Sequence, residues 1–358
     1  MFNSDGQHSG AHTWEELISQ GQVWHAVLSQ LDSSSVVRTI LASSSTVREW
    51  IFVGCGTSYY LAEAAAHSWT RLTGQPTRAI PASEIVLFPE SVQAEGKEVQ
   101  AVVISRSGKT SEAVRAANVL VRELHLPTVG VTCTEQSALE RECSHTLVFK
   151  AADELSTVMT RSFTSMLLSL QYLAARRANN QSFIEYLRKA ADHVSRSIHK
   201  IASELEQFVA RHSFDDYIFL GQGPWHGIAR EGALKVMEMS CSYSQFFHTL
   251  EFRHGPKAIV SEKTCLFFFL DKTGHAAESE VLVEMKALGA ITVAVGNCIG
   301  DTIRPHCDLI IESDPALDDL ALLSACTIPC QLLGFFTGLQ KGLNPDEPKN
   351  LSRVVILD

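Results

Sequence analysis

The chain has 358 residues, 45% of them hydrophobic and 20% charged, with 30 Lys+Arg against 40 Asp+Glu. This composition excludes a disordered or fibrous protein, and the length suggests about two domains. A formal charge of −10 and the absence of any Lys/Arg block exclude a non-specific nucleic-acid or anionic-membrane surface, so an anionic ligand must be held by a local device.

The nine cysteines are odd in number and scattered, without CxxC or zinc-type spacing, and the start Met1-Phe-Asn-Ser-Asp5 has neither the charge nor the apolar core of a signal peptide. Reduced thiols in a cytoplasmic protein, with no metal and no membrane, are the reading. Along the chain, Thr13-Trp14-Glu15-Glu16 predicts a capping box opening a helix towards Leu31. Trp50-Ile-Phe-Val-Gly-Cys-Gly56 follows as an apolar run ending in a glycine turn, and Tyr217-Ile-Phe-Leu-Gly-Gln-Gly223 repeats it 167 residues later. Ala101-Val-Val-Ile104 with Gly108 pairs in the same way with Phe267-Phe-Phe-Leu270 and Gly274, and Pro127-Thr-Val-Gly-Val131 with Ile291-Thr-Val-Ala-Val295.

Short β-branched or aromatic runs, each followed by a helical pattern, predict parallel α/β sheets covered on both faces. The boundaries expected are a helical segment 1–35, a first domain 36–182, a linking helix 183–212, a second domain 213–340 and a tail 341–358. The linking helix rests on Leu187, Ala191, Val194, Ile198, Ile201, Leu205 and Phe208, whose spacing alternates fours and threes. Leu320–Leu339 is uncharged and long enough to span a bilayer, yet Pro329 and its polar residues predict a buried helix pair broken at Ile328-Pro329.

Gly54-Cys55-Gly56-Thr57-Ser58 and Ser105-Arg-Ser-Gly-Lys-Thr110 each close a strand and open a helix. Backbone N–H groups, hydroxyls and two cations there offer what a phosphate monoester needs, while a helix cap that favours Ser and Thr is the plainer reading. In the second copy Asp271-Lys-Thr273 stands where Ser105-Arg-Ser107 does, and Asp271 would repel a phosphate. Glu231, Lys235 and Glu238 share one helix face by spacing, and His254 follows beside a Gly-Pro turn. A solvated charge stripe and a structural histidine compete with a proton shuttle between adjacent sugar carbons.

Taken together, Cys55-Gly-Thr-Ser58, Ser105-Arg-Ser-Gly-Lys-Thr110, Glu231-Gly-Ala-Leu-Lys235, Phe252-Arg-His-Gly-Pro256 and Asn344-Pro-Asp-Glu-Pro-Lys-Asn-Leu351 resemble the double sugar-isomerase (SIS) domain family. The match to the isomerase half of glucosamine-6-phosphate synthase and to amino-sugar-phosphate deaminase/isomerases runs over roughly residues 13–358. The resemblance implies two flavodoxin-like three-layer sandwiches and no cofactor. It implies a sugar 6-phosphate held at Ser58, Ser105, Arg106, Ser107 and Thr110, with Cys55, Gly56, Thr57, Thr157 and the tail residue Ser352 against the substrate. Glu238 would be the C1–C2 proton-transfer base, Glu231 and Lys235 its support, and His254 the ring-opening group donated across a homodimer.

Two departures from the resemblance shape the expected activity. No glutaminase domain precedes the first copy, so glutamine-driven synthesis is not expected. Arg353 stands where the synthase has a Schiff-base lysine, and a guanidinium is a poor nucleophile, so Arg353 is expected to act electrostatically on O1 or the carbonyl. The expectation is an isomerase/deaminase of an (amino)sugar 6-phosphate. A phosphosugar-binding regulator and a deglycase of amine-linked phosphosugar adducts are the alternatives.

Overall fold

The computed structural model describes residues 9–92 and 98–357. Helices α1 (Ala11–Ile18), α2 (Gln20–Ser33) and α3 (Ser35–Ser43) come first. The first copy then runs β1 (Glu49–Gly54), α4 (Thr57–Thr73), β2 (Thr77–Pro81), α5 (Ala82–Leu87), β3 (Val99–Ile104), α6 (Ser111–Asn118), β4 (Thr128–Thr132), α7 (Ala138–Glu142), β5 (His145–Val148) and α8 (Arg161–Arg177). After α9 (Gln181–Arg211), the second copy runs β6 (Asp216–Leu220), α10 (Pro224–Ser240), β7 (Tyr243–Phe247), β8 (Thr264–Phe269), α11 (His275–Ala287), β9 (Ile291–Gly296), β10 (Leu309–Glu312) and α12 (Leu323–Gln340).

Each copy forms one five-stranded sheet with parallel pairings, ordered β2-β1-β3-β4-β5 and, read the same way, β7-β6-β8-β9-β10. This is the doubly wound order in which ligands bind where the winding reverses, outside the carboxyl ends of the first and third strands. The period-2 alternation of a strand divides the core in each copy. Ile51 and Val53 join Ala113, Ala116 and Leu120 of the α6 layer, whereas Trp50 and Phe52 pack on Trp69 of α4. In the second copy Ile218, Leu220, Leu266 and Phe268 join Val281, Leu282 and Met285 of α11. Both faces are therefore covered, as the near-continuous apolar strands require.

The compact units are not contiguous in sequence. The first-copy unit contains Gln22–Glu154, Arg161–Arg188 and the described part of Ser352–Asp358. The second-copy unit contains the described part of Met1–Gly21, Leu155–Thr160 and Lys189–Leu351. The chain passes from one to the other within α9, the helix expected over 183–212.

Two expectations are corrected. Thr13 is no N-cap, because α1 begins after Gly10 and Thr13 is buried within it. Asp346 caps that helix from a distance instead, accepting from the Thr13 amide and hydroxyl, each at 2.7 Å. Glu16, the would-be partner in the box, accepts from the amides of Leu155 and Ser156. The second correction concerns Leu320–Gln340, which is long and apolar enough to cross a membrane but is buried within the fold from Leu320 to Gly338. Leu323–Gln340 forms one helix with Pro329 inside it, not a broken pair. A proline removes one N–H, and a segment buried on every side gains more from continuing as a single rod.

Candidate active site

In the first-copy unit, β1 and β3 deliver two turns at the winding reversal. Gly56 has φ 52° and ψ −125°, a conformation that L-residues avoid. A Cβ on Gly54 would lie 2.4 Å from the Ser58 backbone, so that glycine is set by close approach of the turn. The same holds for Gly221 against Trp225 in the second copy, at 2.5 Å. The paired glycines are thus required by strand-to-helix geometry in both copies, and ligand chemistry falls to what lies among them. Thr57 and Ser58 are buried at the start of α4. Cys55 is partly buried, and burial, reinforced by Glu112, pushes its thiol up to about 12, so it lines the turn as a neutral thiol.

The β3 turn is open and polar. The Ser105 hydroxyl donates to that of Thr110 at 3.4 Å, the Gly108 amide donates to the Ser105 carbonyl, and the Ser107 hydroxyl accepts from the Lys109 amide at 3.2 Å. Gly108 takes φ 58°, and Thr110, the N-cap of α6, makes no side-chain capping bond.

Arg106 is turned away from this surface. Its guanidinium lies 3.1 Å from Glu154, both side chains being buried, and donates to the Arg353 carbonyl at 2.9 Å. Glu154 also accepts from the Ser162 amide at 3.0 Å, so one carboxylate joins Arg106 to the start of α8. A buried ion pair holds its geometry only when its remaining lone pairs are satisfied, and this one is. Sequence reasoning missed Glu154, although it stands three residues before Thr157.

The tail also reaches this unit. Arg353 donates to Asp153 at 2.9 Å and to the Glu154 carbonyl. The expected electrostatic role on a substrate therefore meets a guanidinium already engaged by the 153–154 segment. The Ser111 amide, in the first turn of α6, donates to the Val355 carbonyl at 3.2 Å, and the Leu357 amide donates to the Ser111 hydroxyl at 2.9 Å. Ser352 is exposed and bonds only locally, to the Val354 carbonyl.

In the second-copy unit, α10 carries the charged face. Lys235 is fully buried, 3.4 Å from Glu231 and hydrogen-bonded to Glu238. Burial pulls its pKa down, but the two carboxylates outweigh it and the net direction is up, so the ammonium stays charged. Glu231 is fully buried, and the Glu238 side chain keeps 18% of its surface exposed. Of the trio, Glu238 is the group that can reach a ligand.

Close helix packing sets this face in place. A Cβ on Gly334 or Gly338 of α12 would come within 2.7 Å of the Lys235 carbonyl and 2.3 Å of the Met239 carbonyl. Thr157 belongs to the same unit, its amide donating to the Asp346 carbonyl. His254 is exposed between two short 3₁₀ turns, beside Gly255 at φ 119°.

Each unit thus brings together its own set. Cys55, Gly56, Thr57 and Ser58 line the β1 turn and Ser105, Ser107 and Thr110 the β3 turn, while Glu231, Lys235 and Glu238 form the other group. Among the described residues, no group of three or more His, Cys, Asp or Glu side chains is placed to hold a metal ion. A cleft of about 720 Å³ elsewhere in the second-copy unit is lined by His193, Lys200, Arg304 and Glu312, and its arginine is already paired with Glu312.

Two tandem sheets with a polar turn at one winding reversal and a buried charged helix at the other define a class, and the comparisons agree. The chain belongs to the SIS domain family, whose model matches twice, over residues 45–176 and 215–337. It is 31% identical over 330 residues to a glutamine–fructose-6-phosphate aminotransferase (isomerizing) of Pyrobaculum aerophilum, covering 90% of this chain and 54% of that protein. The chain spans about half the length of the curated relatives it matches. Among solved structures, a glucosamine-6-phosphate deaminase of Thermotoga maritima is 29% identical with a TM-score of 0.77, covering 97% of this chain and all of that one. A tagatose-6-phosphate ketose/aldose isomerase of Escherichia coli shares the fold, with a TM-score of 0.84 at 22% identity over 98% of this chain and 96% of that one.

Proposed function

We propose that the chain is a sugar-phosphate isomerase/deaminase acting on a 6-phosphorylated amino sugar. The observation that carries this reading is Lys235, a fully buried cation between two carboxylates, one of which retains a solvent-facing edge. Burying an ammonium and a carboxylate is costly, and a stability role would be served as well by apolar residues. A base fixed in orientation by a neighbouring ammonium is what C1–C2 proton transfer requires.

Glu238 takes the C2 proton of the open-chain amino sugar and returns it to C1. C2 is left as an imine, which water hydrolyses to the ketone and ammonia. His254 passes the proton that opens the ring. Lys235 aims Glu238, Glu231 anchors Lys235, and the hydroxyls of Ser105, Ser107 and Thr110 with the β1-turn residues recognise the 6-phosphate. Arg353, engaged by Asp153, holds the tail. Deamination is the reading followed because the glucosamine-6-phosphate deaminase of Thermotoga maritima is similar to this chain at 29% identity with a TM-score of 0.77. A homodimer with His254 donated to the partner is part of the proposal.

The test is an NMR screen in D2O of glucosamine, galactosamine, glucose and fructose 6-phosphates, with and without ammonia. Deuterium at C1 or C2 of one of them, with ammonia released from an amino sugar, is the expected outcome. Binding without exchange would leave the phosphosugar-binding regulator as the reading.

A further inference from the structure

The loop that carries His254 is tied to helix α11 by ion pairs and a hydrogen bond. Loop and helix both belong to the second-copy unit. Phe252 is buried in the core and roots the loop, but His254 and Gly255 are exposed, so Phe252 alone does not fix the imidazole. The remaining attachments come from α11. One carboxylate, Glu284, takes both cations that flank the histidine: Arg253 Nε lies 2.8 Å from its Oε2 and Lys257 Nζ 2.6 Å from its Oε1. One turn earlier Glu280 stands 3.7 Å from Arg253, and two turns earlier the Thr249 hydroxyl donates to Glu278 at 3.2 Å. Residues 249, 253 and 257 are thus tied at intervals to one rigid rod, and His254 lies inside the span.

The two ion pairs are about one-third exposed. Pairs of that kind add little to global stability, so their consequence is local: they select one geometry for the short stretch they bracket. A carboxylate that bonds one cation through each oxygen also resists rotation of the loop about either attachment.

We propose that Glu284 is a positioning residue for the reaction, acting through Arg253 and Lys257 to hold His254 where ring opening needs it. This rests on the acid–base reading given above. Glu284 touches no reacting atom. Its loss leaves phosphate recognition intact and lowers the fraction of time the imidazole is correctly placed, which reduces kcat and spares KM.

The test compares the wild-type chain with Glu284→Gln, with Ser279→Ala, whose hydroxyl meets His275 of its own helix, as a control on α11. Amide hydrogen exchange of the peptide containing residues 248–260 reports the loop, and turnover of the amino-sugar 6-phosphate found in the NMR screen reports the chemistry. Glu284→Gln is expected to speed exchange in that peptide about 10-fold and lower kcat about 10-fold, with KM changed less than about 3-fold. Glu284→Asp, which keeps the charge, should recover part of both, and Ser279→Ala should alter neither. Faster loop exchange with unchanged kcat would overturn the proposal, as would a fall in kcat without any change in the loop. Failure of the underlying reading is distinguishable: Glu238→Gln would then turn over as fast as wild type, whatever Glu284 does.

Discussion

Helices α4 and α10 are one piece of architecture used twice. Each has 17 residues, each follows a glycine with nearly identical angles (φ 52° and ψ −125° against φ 54° and ψ −126°), and each ends in a left-handed residue, Gly74 or Cys241. At the positions of Glu231, Lys235 and Glu238, however, α4 carries Ala64, Ser68 and Arg71. Ala64 and Ser68 are buried, and the Ser68 hydroxyl simply donates back to the Ala64 carbonyl. The glycine turn therefore says nothing about chemistry, because it is the same where chemistry is proposed and where it is not. On the shared backbone these three positions carry a carboxylate, an ammonium and a carboxylate in α10, and Ala, Ser and Arg in α4.

The next turn differs in backbone as well. After β3, Gly108 takes φ 58° and α6 begins only at Ser111, which leaves an open run of hydroxyls and amides. After β8, the Asp271 carboxylate accepts from the Gly274 amide at 2.5 Å and α11 begins at His275. The aspartate closes its own turn. Glu278, the counterpart of Glu112, then lies buried beside it, raised to about 7 by burial and next by Asp271. One turn is built of hydroxyls and amides, and the other carries a carboxylate of its own chain.

The strongest way to break this contrast is at the charged helix. Glu238→Gln should cut deuterium exchange at C2 by about 10²–10⁴-fold while ligand binding persists, whereas Arg71→Gln at the matching place in α4 should leave exchange unchanged. Equal effects would erase the division of labour.

Glu278 gives the next largest effect. Its folded pKa of about 7 exceeds the unfolded glutamate value, so its stabilising contribution is full in acid and is lost as pH rises through about 7. Urea unfolding should show wild type losing about 3 kcal/mol relative to Glu278→Gln between pH 4.5 and 8. Parallel curves for the two proteins would show that the second turn holds no such proton.

Ser105→Ala with Ser107→Ala should weaken binding of the 6-phosphate by about 1–3 kcal/mol, or about 5- to 150-fold in Kd by calorimetry. Thr273→Ala in the second turn should do nothing. The smallest effect belongs to Arg353. Its pair with Asp153 is exposed enough that Arg353→Ala should shift stability by only about 0–1 kcal/mol in thermal unfolding, and borohydride with substrate should trap no adduct on the wild-type tail.

The strands, the repeat and α9 were legible because each rests on periodicity over several residues. Tyr217-Ile-Phe-Leu220 can hardly be anything but a buried strand beside its twin. What escaped was set by partners far away in sequence. Thr13 and Glu16 have the spacing of a local box, yet Asp346 and Ser156 claim them. Arg106 counts as a phosphate cation until Glu154 neutralises it. The face of α10 was visible from spacing, but the complete burial of Lys235 was not, since it depends on how closely Gly334 and Gly338 let α12 approach. Glu284 gave no local sign at all, because its meaning lies in two cations about 30 residues upstream.

The non-contiguous composition of the units bears on how the protein is made. The segment that closes the first turn of α6, with the Val355 carbonyl on the Ser111 amide, is made long after the strands of its own sheet. After Arg188, the first-copy unit waits for more than 160 further residues before Ser352 appears, a delay of about 8–30 s at usual rates of synthesis. Through that interval the nascent chain carries a finished sheet with an uncapped helix start, while α1 waits as long or longer for Asp346. Neither copy can therefore be released as a finished product by a cut within α9. Completion of both is deferred until residues 346–357 have been made.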